Sequence, residues 1–293
     1  MGAFSILNNI GAIYAQNQLG ITNANLTQSL TRVSSGKRIN SGADDAAGLM
    51  IADSLQANVQ TLDQSVRNAN DCISVGQIAD SALQEITNNL IRAVALAQEA
   101  ATGTVDNAGR TVLNNEFSQI QAEIASIAVQ TDFNGVGIFT QAGLNGSLSA
   151  FVGDIASSTS IAVTINTIGT NGDLVTSLGG VNGAGGVNLS SINLTTPAGA
   201  ASALGTIQQA LNAVAAERAA IGAGTNRLQS AVTVMQSQSL NTQSAESTIR
   251  DANMATEISN LTKYQILTQT GMAALAQANT SSQSILTLMR ALP

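Results

Sequence analysis

The sequence predicts a mainly α-helical protein: a long antiparallel coiled-coil rod formed by the N- and C-terminal halves of the chain, with a small β-hairpin region in the middle. Three observations lead there. Apolar residues recur at helical three-and-four spacing through about the first 130 residues and the last 90. Glycines and Asn-Gly pairs concentrate between Asn134 and Ala200. Aromatic residues make up only 2% of the chain and charged ones 10%, so the core must come from Leu, Ile, Val and Ala, which pack neighbouring helices closely.

The first helical stretch carries no Asp, Glu, Lys or Arg before Arg32, and the last carries none between Lys263 and Arg290. Its apolar residues, Ile6, Ile10, Ile13, Leu26 and Leu30, are separated by Gln, Asn, Ser and Thr, as are Met254, Ile258, Leu261, Met272, Leu275 and Leu286 at the other end. A free surface helix carries charge on its outer face, and a membrane span needs about 20 predominantly apolar residues, so these segments fit neither description. They suit helices buried among copies of themselves, where amides hydrogen-bond between subunits and no charge has to be desolvated. The chain is therefore expected to self-assemble through its two termini.

The segments between the termini and the middle are expected to form long packed helices. Ser41 and Asp44 make a capping box ahead of a helix carrying Leu55, Leu62, Val66, Ala69, Ile73, Leu83, Leu90 and Val94 and stopping near Gly103. At about 1.5 Å per residue that helix is on the order of 85 Å long, against a radius of gyration near 19 Å for a compact domain of this size, which implies a rod. Leu113, Phe117, Ile120, Ile124 and Ile127 keep the spacing of a coiled-coil seam, and Ile207, Leu211, Val214, Ile221, Leu228, Val232 and Met235 supply a third helix.

Residues 141–201 change character. Asn-Gly pairs at Asn145, Asn171 and Asn182 and the alternation of Ile161, Val163 and Ile165 predict hairpins on the exterior, open to insertion or to hydroxyl glycosylation at Ser157, Ser158 and Thr159. The glycine run from Gly179 to Gly186 reads as a turn, because no P-loop Lys-Ser/Thr follows it.

Composition argues against catalysis. The chain has no His, so the commonest general base and metal ligand is absent; no catalytic residue, metal or cofactor is expected. Asp44 and Asp45 read as helix-start carboxylates, and Glu217–Arg218 and Arg250–Asp251 as surface or intersubunit ion pairs. Cys72 cannot form an intrachain disulfide and reads as a small buried side chain. A net charge of −7 opposes nucleic-acid binding. The N-terminus lacks a basic n-region and its apolar residues are interrupted by Asn8, Asn9, Gln16 and Asn17, so neither a cleaved secretory signal nor a membrane segment is expected.

Three motifs carry a resemblance. The run Arg32-Val33-Ser34-Ser35-Gly36-Lys37-Arg38-Ile39-Asn40-Ser41-Gly42-Ala43-Asp44-Asp45-Ala46-Ala47-Gly48-Leu49, with Ser29 to Thr31 before it, resembles the N-terminal signature of bacterial flagellins. Gln130-Thr131-Asp132-Phe133-Asn134-Gly135-Val136 is similar to the point where their outer helices give way to β-structure, and Asp251 to Asn260 through Gln265-Ile266-Leu267 and Leu275 to Asn279 is similar to their C-terminal signature. The resemblance implies a short flagellin without large outer domains, polymerising into the flagellar filament for motility, with residues 1–43 and 255–293 paired as an inner-core helical domain and residues 44–140 and 202–254 as an outer-core antiparallel helical bundle. It also implies type III export, an export chaperone on the C-terminal segment, a filament cap and hook-junction proteins as partners, and an extracellular location. A further implication is that the surface sensed by an animal Toll-like receptor falls at Arg92, Leu96 and Glu116. Two alternatives stay open at this point: a hook-filament junction protein, and a signalling coiled-coil protein, though the latter should carry charged heptad flanks and usually a membrane span.

Overall fold

The computed structural model describes residues 9–140, 147–153, 158–165, 168, 173–174, 187–189 and 191–290. In chain order these form α1 (Ile10–Ser35), α2 (Ala46–Ala101), α3 (Asn107–Gln130), β1 (Asp132–Phe133), β2 (Val136–Gly137), β3 (Ser147–Gly153), β4 (Ser158–Thr164), β5 (Asp173–Leu174), β6 (Val187–Asn188), α4 (Pro197–Arg250) and α5 (Met254–Arg290). The chain divides into two compact units, Met1–Ala57 with Asn241–Pro293, and Asn58–Leu240.

In the first unit α1 and α5 pair antiparallel. Asn9 starts α1 by accepting the Ala12 N–H at 3.0 Å, and its amide donates to the Ala278 carbonyl at 3.1 Å, so one residue caps α1 and sets its register on α5. Half-buried or buried positions follow the seven-residue repeat, Ala15, Leu19, Thr22, Leu26 and Ser29 on α1 against Leu261, Tyr264, Thr268, Gly271 and Leu275 on α5. The helices approach closely at Gly271, where an added Cβ would stand 2.8 Å from a Leu19 methyl. Gly36 ends α1 at φ 70°, a left-handed conformation that a Cβ disfavours, and returns its N–H to the Arg32 carbonyl.

The linkers leaving this pair clasp each other. Ala252 N–H donates to the Gly36 carbonyl at 2.9 Å and Arg38 N–H to the Arg250 carbonyl at 2.7 Å. The Arg38 guanidinium donates to the Ile249 carbonyl at 2.8 Å, and Ile39 is buried beside it. The start of α2 differs from the expected Ser41–Asp44 capping box. Asp45 holds the first turn by accepting the Gly48 N–H at 2.9 Å, whereas Asp44 accepts from the Ser41 N–H and hydroxyl, the Asn40 N–H and the Gln28 amide. With two carboxylates in succession, the one three residues before a free helical N–H takes the cap, and its neighbour is left to close the preceding turn.

The second unit is a helical bundle with a strand-rich flank. The buried side of α2 runs Leu62, Ser65, Ala69, Cys72, Gly76, Ala79, Leu83, Ile86, Leu90, Ala93, Ala97, Ala100, in steps of three and four. On α4 the same alternation runs Ala200, Ala203, Ile207, Ala210, Val214, Glu217, Ile221, Gly224, Leu228. Strict three-four steps are the period of a coiled-coil seam, and small residues at many of them draw the helices together. At Gly76 an added Cβ would stand 2.7 Å from the Thr225 methyl. The α2–α3 turn is fixed by Arg110, 5% exposed, whose guanidinium donates to the Ala100 and Thr102 carbonyls at 2.9 and 3.1 Å. Those are carbonyls that the end of α2 leaves without helical partners.

Beyond α3, Asn134 and Gly135 take φ 55° and 77°, the pair of left-handed residues a two-residue hairpin turn requires, and join β1 to β2. β3 and β4 pair from Ser147↔Thr164 to Gly153↔Ser158, as the alternation in this stretch predicts. Leu148, Ala150, Val152 and Val163 face inward, and Val163 meets α4 at Gly224. The Ser65 hydroxyl ties the hairpin to α2 through the Gly153 carbonyl at 3.0 Å. The Asn-Gly pairs at Asn145, Asn171 and Asn182, the glycine run from Gly179 to Gly186, and Ser157 lie outside the described residues.

Candidate assembly surfaces

The α1–α5 pair carries more apolar surface than its seam consumes. Ile10 is 69% exposed, Tyr14 73% and Met272 51%, and Ile13, Ile21, Leu30, Met254, Ile258, Ile266 and Leu267 also stand in solvent. Of the residues the sequence assigned to assembly, Leu26, Leu261 and Leu275 turn out to line the seam within the chain, whereas Ile10, Ile13, Leu30, Met254, Ile258 and Met272 face outward. Ile6 and the side chain of Leu286 lie outside the described residues. Sequence reasoning missed Tyr14, Ile21, Ile266 and Leu267. For the first two a signal existed, since Ile10, Tyr14 and Ile21 follow a second helical stripe offset from the Leu19–Leu26 one.

The threonines on these helices are largely self-satisfied. Thr22, Thr27 and Thr31 on α1 donate their hydroxyls to the carbonyls of Gln18, Asn23 and Thr27, and Thr262 and Thr270 on α5 donate to Ile258 and Ile266. A threonine bonded four residues back presents its methyl outward, so covering it leaves no orphaned hydroxyl. Together with the absence of charge from Ile10 to Thr31 and from Tyr264 to Met289, this makes the outer faces inexpensive to desolvate.

The other candidate residues fall out differently. Arg92 and Glu116 form an exposed ion pair between α2 and α3, N–O 2.6 Å, and the bonded carboxylate raises the guanidinium's pKa above its ordinary value. Leu96 does not share that surface. It is 3% exposed and belongs to the bundle core, because the α2 seam broadens to include it beside Ala97. Arg218 pairs with Asp80 on α2 at 2.7 Å while its neighbour Glu217 turns into the bundle; adjacent helical residues point about 100° apart and cannot pair with each other. Arg250 likewise reaches Asp53 at 3.3 Å and Glu246 at 3.6 Å, and Asp251 instead accepts the Ser247 hydroxyl. Cys72 is buried in the α2 seam, and burial pushes its thiol pKa up. Thr159 is exposed on β4. Among the described residues no group of three or more His, Cys, Asp or Glu is placed to hold a metal ion, and no helix is long and apolar enough to cross a membrane.

Paired terminal helices with uncharged apolar faces left uncovered define a class, the structural subunit of a helical assembly. Residues 6–143 match the bacterial flagellin N-terminal helical region and residues 204–289 the bacterial flagellin C-terminal helical region. The chain is 36% identical to flagellin FlaB2 of Treponema pallidum and 35% identical to the flagellar filament 33 kDa core protein of Treponema phagedenis, in each case over 97% of this chain and 99% of the relative. It is 34% identical to a flagellin of Halalkalibacterium halodurans, with the same shares covered. A crystal structure of Bacillus cereus flagellin aligns with 61% of this chain and 94% of its own at 24% identity, with a TM-score of 0.48. The chain belongs to the bacterial flagellin family and is a structural subunit of the flagellar filament.

Proposed function

We propose that the filament grows by covering the outward faces of α1 and α5 with the same helices of neighbouring copies. The observation that carries this is that Ile10, Ile13, Tyr14, Ile21, Leu30, Ile266, Leu267 and Met272 stand exposed within the two charge-free stretches of the sequence. Residues 1–43 and 255–293 then make the inner layer, residues 44–140 and 202–254 the outer helical layer, and residues 141–201 the exterior. Folding of the terminal helices is completed on docking, where the apolar area removed from water offsets the entropy of ordering them. The closed tube of helices transmits motor torque as a propeller outside the cell.

An export chaperone covering the C-terminal segment before assembly, a cap at the growing tip and a junction protein at the base complete the partners. Recognition by a host Toll-like receptor rests on Arg92 and Glu116, with Leu96 acting only through the packing beneath them.

Seeded polymerisation followed by light scattering and negative-stain microscopy tests the central reading. Ile10→Asp places an unpaired charge in the interface, a cost of several kcal/mol, so the concentration needed for growth rises by about 100-fold or more while the monomer keeps its helical circular dichroism. Growth of Ile10→Asp at the wild-type concentration overturns it.

A further inference from the structure

Between α1 and α5, on one side of their seam, lies an open groove of about 340 Å³. Tyr14, Gln18 and Leu19 form one wall, and Leu267, Thr270 and Gly271 the other. It exists because Gly271 brings the backbones together and adds no side chain above the contact, while Ala15 and Ala274 leave the rims low. Thr22 and Thr270 spend their hydroxyls on their own helices, so the lining is apolar apart from the Tyr14 hydroxyl and the Gln18 amide, which donates and accepts no bond here. Among the described residues, none that lines it is charged.

Beside the groove on α1 runs the exposed stripe Ile10, Ile13, Asn17 and Ile21. At about 100° per residue these four fall within an arc of about 80°, with Tyr14 at its edge, shared between stripe and groove. The stripe spans about 16 Å along the helix and the α1 wall of the groove about 12 Å.

Resting on the filament reading above, we infer that this groove is the receptor for the α1 stripe of a second copy: the neighbour's isoleucines fill the space over Gly271, and its Asn17 amide meets the Gln18 amide. Three observations select this occupant. The groove and the stripe both lie within charge-free sequence, so neither a charged ligand nor a charged helix is matched. The groove is continuous, through Tyr14 and Leu267, with the exposed apolar faces of α1 and α5. And because groove and stripe are different surfaces of one protomer, the contact is heterologous and leaves a free groove at one end and a free stripe at the other, as an open-ended polymer requires.

A charge-pair cycle tests it on the full-length chain. Gln18→Glu adds a charge to the groove with almost no change of shape; Ile10→Lys, Ile13→Lys and Ile21→Lys each add one to the stripe. Each single variant is expected to raise the critical concentration for seeded growth by about tenfold or more. Gln18→Glu combined with at least one of the three lysine variants is expected to return it to within about threefold of wild type, since the two charges then meet across the contact. Ala274→Leu, which raises the rim of the groove without charge, should slow growth as Gln18→Glu does. Near-wild-type growth of Gln18→Glu and Ala274→Leu overturns the inference, as does a set of three double variants with no recovery, in both cases while wild-type protein grows and Ile10→Asp does not. Failure of the wild-type chain itself to form filaments instead sinks the reading beneath it.

Discussion

Replacing Gly76 by alanine sets two known effects against each other where α2 meets Thr225 and Ile221 of α4. Alanine gains about 0.8–1 kcal/mol over glycine in a helix interior. Against that, the new Cβ would stand 2.7 Å from the Thr225 methyl and 3.6 Å from an Ile221 methyl, the first far inside van der Waals contact. Thr225 cannot easily swing away, because its hydroxyl donates to the Gly222 carbonyl at 3.0 Å and rotation breaks that bond. Overpacking of this kind costs about 1–3 kcal/mol, so the clash wins and Gly76→Ala is expected to be less stable by about 1 kcal/mol, lowering Tm by about 2–4 °C for a unit of this size. Thr225→Ser removes the offending methyl and keeps the hydroxyl. In that background Gly76→Ala should reverse sign and stabilise by about 0.5–1 kcal/mol, the helix-propensity gain alone. The assay is urea and thermal unfolding of monomeric protein followed by far-UV circular dichroism. A Gly76→Ala protein more stable than wild type, or a destabilisation unchanged by Thr225→Ser, refutes the claim that backbone proximity selects glycine here.

Two further outcomes follow from the joints. The Asp44 carboxylate is held below its ordinary pKa by the Gln28 amide, with the Asn40 and Ser41 groups adding to the effect. A depressed carboxylate contributes stability above its unfolded value, lost as pH falls through the folded one, so Asp44→Asn should be less stable than wild type near pH 7 and the gap should close on acidification below about pH 4; equal stability of the two at pH 7 in unfolding titrations contradicts this. Arg110→Met keeps the apolar stem but removes the guanidinium from the Ala100 carbonyl and leaves the Thr102 carbonyl only the Val105 N–H at 3.4 Å, a loss of about 1–3 kcal/mol measurable by urea unfolding, together with faster amide exchange at the end of α2 and start of α3.

Sequence periodicity was enough for the helices, because a 3.5-residue repeat of Leu, Ile and Ala has only one regular backbone that places it on one face. It was also enough for the hairpin, through the period-two alternation around Val163, and for self-assembly, because a helix without charges has no stable way to face water or lipid alone. The family signature around Gly36–Asp45 and Asp251–Asn260 is legible for a similar reason. Those residues close the clasp and cap α2 and α5, where backbone hydrogen bonds dictate residue type locally.

What the chain could not disclose was how partners meet across long separations. α1 carries two apolar stripes, and only pairing with α5 decides that Leu19 and Leu26 are spent inside the chain while Ile10, Tyr14 and Ile21 remain exposed. Glu217 and Arg218 are adjacent in sequence, yet Arg218 belongs to Asp80 and Glu217 to the bundle. Leu96 lies four residues from Arg92 and still points inward, because helix spacing says which residues share a side but not which side meets another helix. Local rules fix the period, the caps and the turns, since those energies depend on neighbours a few residues away. Which face is buried is a property of the packed helices together, and only the tertiary structure sets it.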